Sequence, residues 1–163
     1  MNSKKMIIMS SILTLTIVGQ ILLAIILYNP KGSAVRINSG WIVLWISAIF
    51  GWLPIFTFRK KGKVKGRGYI RTTVLVDSGI YEIVRHPQYL AGILLNIALT
   101  LITFHWLVIV TGLIAAIITY SDTYDEEKRC ISKFGEAYRQ YTKKVPRINF
   151  ILGIIWLLRR KRK

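Results

Sequence analysis

The sequence predicts an all-α integral membrane protein. About four transmembrane helices are expected, the third and fourth forming a tight helical hairpin, with a C-terminal amphipathic helix lying in the interface. Two observations carry this. Hydrophobic residues make up 53% of the 163 and mean hydropathy is +0.44, yet 24 Lys and Arg against 7 Asp and Glu give a formal net charge of +17. Such extremes coexist only if they are segregated along the chain, and they are: charge-free runs cover Met6 to Pro30, Ile37 to Phe58, His86 to Ser121 and Ile148 to Leu158, 94 of 163 residues. About 20 apolar residues span a bilayer, and soluble cores rarely use uninterrupted runs of that length. An ordinary soluble protein is excluded.

The first span is roughly Met6 to Leu27. Lys4 and Lys5 ahead of it resemble a signal peptide. The run is about twice the length of a secretory core and ends at Tyr28-Asn29-Pro30 with no small-residue cleavage pattern, so it reads as a span. The second span, roughly Trp41 to Phe58, places Trp41 and Trp45 where an aromatic belt meets headgroups. The basic, glycine-broken stretch Arg59 to Gly68 cannot enter hydrocarbon and is expected on a membrane surface.

As one helix the run His86 to Ser121 would be about 54 Å long against a hydrocarbon core of about 30 Å. Cations number 2 at the N-terminus, 2 in the link 29–40, 8 in residues 59–88 and 12 in residues 121–163. A hairpin turning near Thr103 to Trp106 puts 22 of the 24 on one side, as the positive-inside tendency favours. Four spans with both termini cytoplasmic follow, in a cell membrane if the source is prokaryotic. The two halves of the hairpin, about 16 residues each, imply a thinned or partly protein-covered end.

Beyond it, Asp125-Glu126-Glu127 is expected to open a new helix. Ile131, Phe134, Tyr138, Tyr141 and Val145 recur at three- and four-residue spacing opposite Lys128, Lys133, Glu136, Arg139, Gln140 and Lys143, an interfacial amphipathic pattern that Pro146 ends. The run Phe150 to Leu158 is too short to cross and is expected to dip into the inner leaflet. The organisation is one membrane domain, 1–163. It comprises two N-terminal spans (1–58), a cytosolic basic loop and motif (59–88), the hairpin (89–121) and a cytosolic or interfacial C-terminal segment (122–163).

Several chemistries are excluded. Cys130 is alone, so there is no disulfide within the chain and no thiolate zinc site; its plain reading is a small apolar helix residue. His86 and His105 are far apart and no metal site is expected; His105, at the outer turn, reads as a solvated loop residue. No Gly-x-Gly-x-x-Gly follows a strand and there is no phosphate-binding Gly-Lys-Ser/Thr loop. Anionic lipid headgroups, rather than nucleic acid, are the expected partners of the basic loops; the Arg159 to Lys163 cluster reads as diffuse attraction to them.

Two segments concentrate chemistry. Val76 to Tyr89 packs Tyr81, Arg85, His86, Pro87 and Tyr89 at the entrance of the third span. Pro87 suits a first helical turn, and Arg85, His86 and Gln88 beside a positive helix end would hold a carboxylate. The other segment is Asp125-Glu126-Glu127, which the hairpin returns to the same membrane face. Cations facing carboxylates suit a zwitterion carrying a carboxylate and an ammonium. Plain structural roles stay open: snorkelling for Arg85 and His86, helix-terminal placement for Glu126 and Glu127.

Ser78-Gly79-Ile80-Tyr81, Arg85-His86-Pro87-Gln88-Tyr89, Glu126-Glu127, Phe134-Gly135-Glu136-Ala137-Tyr138 with Tyr141, and Val145-Pro146-Arg147 together resemble the integral membrane methyltransferases, which include isoprenylcysteine carboxyl methyltransferases and phospholipid N-methyltransferases. The resemblance covers about residues 74–148. It implies S-adenosyl-L-methionine bound without a Rossmann fold, between the hairpin and the C-terminal segment at the cytosolic face. By the same resemblance Tyr81, Arg85, His86, Pro87 and Tyr89 line the cofactor site. Glu127, with Glu126 beside it, holds the polar end or ribose, and Arg147 lies near the acceptor. One departure is Ala91, with Gly92 after it, where relatives place Gly two residues past the Tyr.

The implied reaction is methyl transfer to a lipophilic acceptor, a prenylcysteine-like carboxylate or a lipid amine, entering sideways from the bilayer. An in-line displacement gains most from alignment and from excluding water. An amine acceptor must also lose a proton, for which Glu126 or a tyrosine would serve. Two rivals stand beside this reading. One is an NADPH-dependent membrane reductase of the sterol type; the other is a non-enzymatic protein that binds anionic lipids.

Overall fold

The computed structural model of the protein describes residues 3–61 and 74–162; the stretch Gly62 to Gly68 of the expected basic loop lies outside the described residues. Among them are six α-helices, one 3₁₀ turn and no strand: α1 (Ser3–Ile26), α2 (Ala34–Lys61), the turn Gly79–Glu82, α3 (Pro87–Thr103), α4 (Trp106–Phe134), α5 (Glu136–Lys144) and α6 (Phe150–Lys161). The expected all-helical class holds. Ile8–Ile26 of α1, α2 and α4 are long and apolar enough to cross a membrane; α3 is apolar but, at 17 residues, shorter.

The chain divides into two compact units, residues 1–48 with 91–122 and residues 49–90 with 123–163. In the first, small residues let helices approach. A Cβ on Gly40 would press against the side chain and backbone of Ile102, and one on Gly112 would take the space of the Gln20 amide. Gln20 is fully buried, donating from Nε2 to the carbonyls of Asn96 and Val108, each at 3.2 Å. An amide in such a helix needs partners of this kind, because hydrocarbon offers none.

The hairpin turns at Phe104 and His105, inside the expected window. Its chemistry differs from a glycine turn. Phe104 itself takes the left-handed conformation, φ 50°, with the Arg36 guanidinium 4.4 Å over its ring. His105 Nδ1 accepts the Leu107 N–H at 3.3 Å, capping α4, so this histidine has a structural partner rather than only solvent.

In the second unit the core is Val76, Tyr81, Tyr138, Tyr141 and Val145, with Phe58, Cys130 and Ile131 packed against it. Two boundaries correct the sequence reading. Asp125-Glu126-Glu127 opens no new helix: α4 runs through it to Phe134. Charged residues do not interrupt an α-helix; the break comes at Gly135, whose φ of 58° a side chain would resist, and α5 starts after it. The last helix extends past Leu158 to Lys161 and is capped by Asn149, whose Oδ1 accepts the Leu152 N–H at 3.0 Å.

Candidate functional site

Three stretches of the second unit meet at one carboxylate. The 3₁₀ turn ends at Glu82 and hands the chain to Arg85-His86, immediately before Pro87 starts α3. Proline suits that first position, where no backbone N–H is needed. The link after α5 brings in Val145-Pro146-Arg147. The two strings are bonded through the backbone, Arg85 N–H to Pro146 O at 3.0 Å and His86 N–H to Arg147 O at 3.1 Å. The third element is α4, which presents Glu127.

Glu127 receives four donor contacts. Arg147 binds it in bidentate fashion, Nε to Oε1 at 3.1 Å and Nη2 to Oε2 at 2.7 Å. Arg85 Nη1 lies 3.1 Å and His86 Nε2 3.2 Å from Oε1. The side chains of Glu127, Arg85 and His86 are 12, 10 and 5% exposed, so the Glu127 and Arg85 charges interact largely shielded from bulk water. The carboxylate hydrogen bond is the main influence holding the Arg147 guanidinium above the usual arginine range. Arg147 also lies over the Tyr124 ring, its Cζ 3.7 Å from the centroid.

Behind the cluster the tyrosines are structural. Tyr141 donates its hydroxyl to the Tyr81 carbonyl at 2.7 Å, and the Tyr81 ring lies 4.9 Å from that of Phe58. Burial pushes the Tyr138 and Tyr141 hydroxyls well above the usual tyrosine range, so both stay neutral. Gly153 of α6 lies against the Ile83 carbonyl, which any Cβ would strike.

Of the residues singled out from sequence, Arg85, His86, Glu127 and Arg147 come together. Pro87 is buried beside them and Tyr89 sets its ring edge-on to His86, with centroids 5.5 Å apart. Tyr81 contributes its carbonyl and ring to the core beneath. Glu126 goes elsewhere. Neighbouring helical residues point about 100° apart, and its Oε2 takes Arg129 Nη2 at 2.6 Å and Nε at 2.9 Å, with Cys130 Sγ 3.8 Å from Oε1. Tyr124 was missed; its position three residues before Glu127, on the same face of α4, was the available signal.

Two open valences in the cluster fit a polar, charged cofactor. Arg85 Nε is enclosed and has no acceptor, while Glu127 Oε2 has one short contact against three at Oε1. Two guanidinium groups against one carboxylate leave a net positive site, suited to an incoming carboxylate. Among the described residues no group of three or more His, Cys, Asp or Glu is placed to hold a metal ion.

Comparison with known proteins agrees with this chemistry in part. A "Probable 7-dehydrocholesterol reductase" of Acanthamoeba polyphaga mimivirus is 32% identical over 89 residues, 53% of this chain and 20% of that protein. The chain thus spans about a fifth of the length of the curated relative it matches. No solved structure matches it. Residues 35–137, more than half of the chain and including Arg85, His86 and Glu127, match the family described as phospholipid methyltransferase, and the chain belongs to that family.

Proposed function

We propose that the protein transfers a methyl group from S-adenosyl-L-methionine to a lipophilic acceptor at the cytosolic face of a membrane, through a fold that crosses it four times and keeps both termini in the cytosol. The observation that carries this reading is the Glu127 cluster, in which a buried carboxylate is fixed by Arg85, His86 and Arg147 while Arg85 Nε lacks an acceptor. Membership of the methyltransferase family supports it.

When bound, S-adenosyl-L-methionine supplies an electrophilic methyl group on a sulfonium. Arg85, with Nε open, is the group to bind a carboxylate; Glu127 Oε2 is the acceptor for a hydroxyl or ammonium. Arg147 holds Glu127 in bidentate geometry and so fixes the direction of that acceptor. His86, Pro87 and Tyr89 wall the site, with Tyr81 supporting it from the core beneath, and exclude water, which strengthens every charge interaction inside it. Glu126 is the candidate to take a proton from an amine acceptor; Arg129 must first swing away from its carboxylate. A carboxylate acceptor, already deprotonated, needs no base.

A second reading, an NADPH-dependent reduction, draws support from the reductase relative. Ligand choice separates the two. Calorimetric titration of the full chain in neutral detergent with S-adenosyl-L-methionine, with its demethylated product and with NADPH is the test. Saturable binding of the first two, lost in Glu127→Ala and sharply weakened in His86→Ala, is expected. Binding of NADPH alone, or undiminished binding by both variants in folded form, overturns the assignment.

A further inference from the structure

A second charged feature lies outside the Glu127 cluster. The last turn of α5 and the last turns of α6 border a cleft of about 280 Å³ lined by Lys143, Lys144, Trp156, Arg159 and Arg160. Four cationic side chains line it, and among the described residues none of them has an acidic side chain within ion-pair distance. The acidic residues that do pair, Asp125, Glu126 and Glu127, belong to α4 and are taken by Lys128, Arg129 and the Arg85–Arg147 cluster. Four uncompensated cations around one depression repel each other, and an anion seated among them relieves that repulsion.

The cleft is also partly preorganised. Arg160 donates from Nη2 to the Glu82 carbonyl at 3.0 Å and from Nε to the Trp156 carbonyl at 3.4 Å, so its guanidinium is held rather than sweeping solvent. A fixed guanidinium is suited to phosphate oxygens, and lysines close by add point charge. The surroundings favour one source of phosphate. Ile151, Ile154, Ile155 and Leu158 of the same helix are exposed, an apolar set that acyl chains would cover, and Trp156 in the cleft is a residue that favours the headgroup level. The sequence suggested only diffuse attraction by the terminal cations; the fold sets two lysines from a different helix beside the same cleft.

We propose that this cleft seats the phosphate of an anionic phospholipid of the surrounding bilayer, a lipid that binds apart from the Glu127 cluster. The site stands whether or not the methyl-transfer reading does, because none of its lining residues belongs to that cluster.

The test is calorimetric titration of the full chain in dodecyl maltoside, at physiological salt, with mixed micelles of phosphatidylglycerol, with the same micelles carrying phosphatidylcholine, and with inorganic phosphate. Phosphatidylglycerol is expected to bind saturably at one molecule per chain. Lys143→Gln/Arg159→Gln is expected to weaken it about thirtyfold, from the typical contribution of two cations near a lipid surface. Lys128→Gln/Arg139→Gln, which removes the same charge outside the cleft, is expected to weaken it less than about threefold. All four side chains are exposed, and cooperative unfolding of each variant checks that the fold survives. Equal weakening by both variants would mean diffuse attraction and overturn the site. Inorganic phosphate bound as tightly as phosphatidylglycerol would make the ligand a soluble anion, and phosphatidylcholine bound as tightly would remove the selectivity for anionic lipid. Either result also overturns the proposal.

Discussion

Replacing Glu127 by Gln tests the carboxylate cluster most directly, because the side chain keeps its shape and loses its charge. Arg85 and Arg147 would then face each other at 10 and 21% exposure with no counter-charge between them. Removing one partner of a buried ion pair costs about 3–5 kcal/mol, and the partial exposure of Arg147 places this case at the lower end, about 3 kcal/mol. For a chain of this size that is a fall in Tm of about 6–12 °C. Arg147→Gln should cost less, about 1.5–3 kcal/mol, because Glu127 retains Arg85 and His86. The decisive quantity is the double variant. With both changes only Arg85 is left uncompensated, so the combined loss should fall short of the sum of the single losses by about 1 kcal/mol or more. Thermal unfolding of the four forms in neutral detergent, followed by helical circular dichroism, reads this directly. Losses that add within about 0.5 kcal/mol would refute the view that the pair acts as a unit.

Other parts of the molecule give equally definite expectations. Gly153→Ala places a methyl against the Ile83 carbonyl and should lower stability by about 1–3 kcal/mol, whereas Gly92→Ala, whose new methyl meets only Thr119 Cγ2 at 3.6 Å, should be neutral or gain up to about 1 kcal/mol in helix propensity; the two Tm values measured side by side decide it. Gly135→Ala should cost about 1 kcal/mol or more, since φ is 58° there, and loss of stability by the same assay checks it. Burial raises the folded-state values of the Tyr138 and Tyr141 hydroxyls, so the native state keeps protons that the unfolded chain releases. Stability from these groups is therefore fully present below about pH 10 and falls as pH rises above it, each group contributing up to about 1.4 kcal/mol per pH unit. A Tyr141→Phe variant should show a shallower alkaline decline in urea midpoint, and an unchanged slope would contradict the assignment.

The hairpin was legible from charge alone. Neither Phe104 nor His105 is a turn residue by type, yet residues 86–121 are flanked by 8 cations before them and 12 after, which the positive-inside tendency keeps on one face, and the structure turns inside the predicted window. What makes the turn was hidden, because it depends on Arg36 reaching Phe104 from α2 and on a histidine serving as a cap. The start of a helix at Asp125 was misread for a related reason. Acidic residues favour helix N-termini but also sit comfortably inside a helix, and Gly135 was the only residue in that stretch able to stop one. Adjacency in sequence likewise suggested that Glu126 and Glu127 act together; helical geometry sends them to different partners, Arg129 and the Arg85–Arg147 cluster.

The cluster depends on more than the region that carries the family match. That region ends at residue 137, before Tyr141, Pro146 and Arg147. Yet Tyr141 bonds the carbonyl of Tyr81, Pro146 and Arg147 accept the backbone N–H groups of Arg85 and His86, and Arg147 supplies two of the four donors on Glu127. Without this segment Arg85 and His86 would lose the backbone acceptors that fix their direction, and Glu127 would hold an incomplete set of charges in a partly buried position. A carboxylate desolvated to that degree is stable only when its donors are already in place. The α5–α6 link is therefore part of the site's construction, and its role follows from the bonds it makes to a motif some 60 residues earlier in the chain.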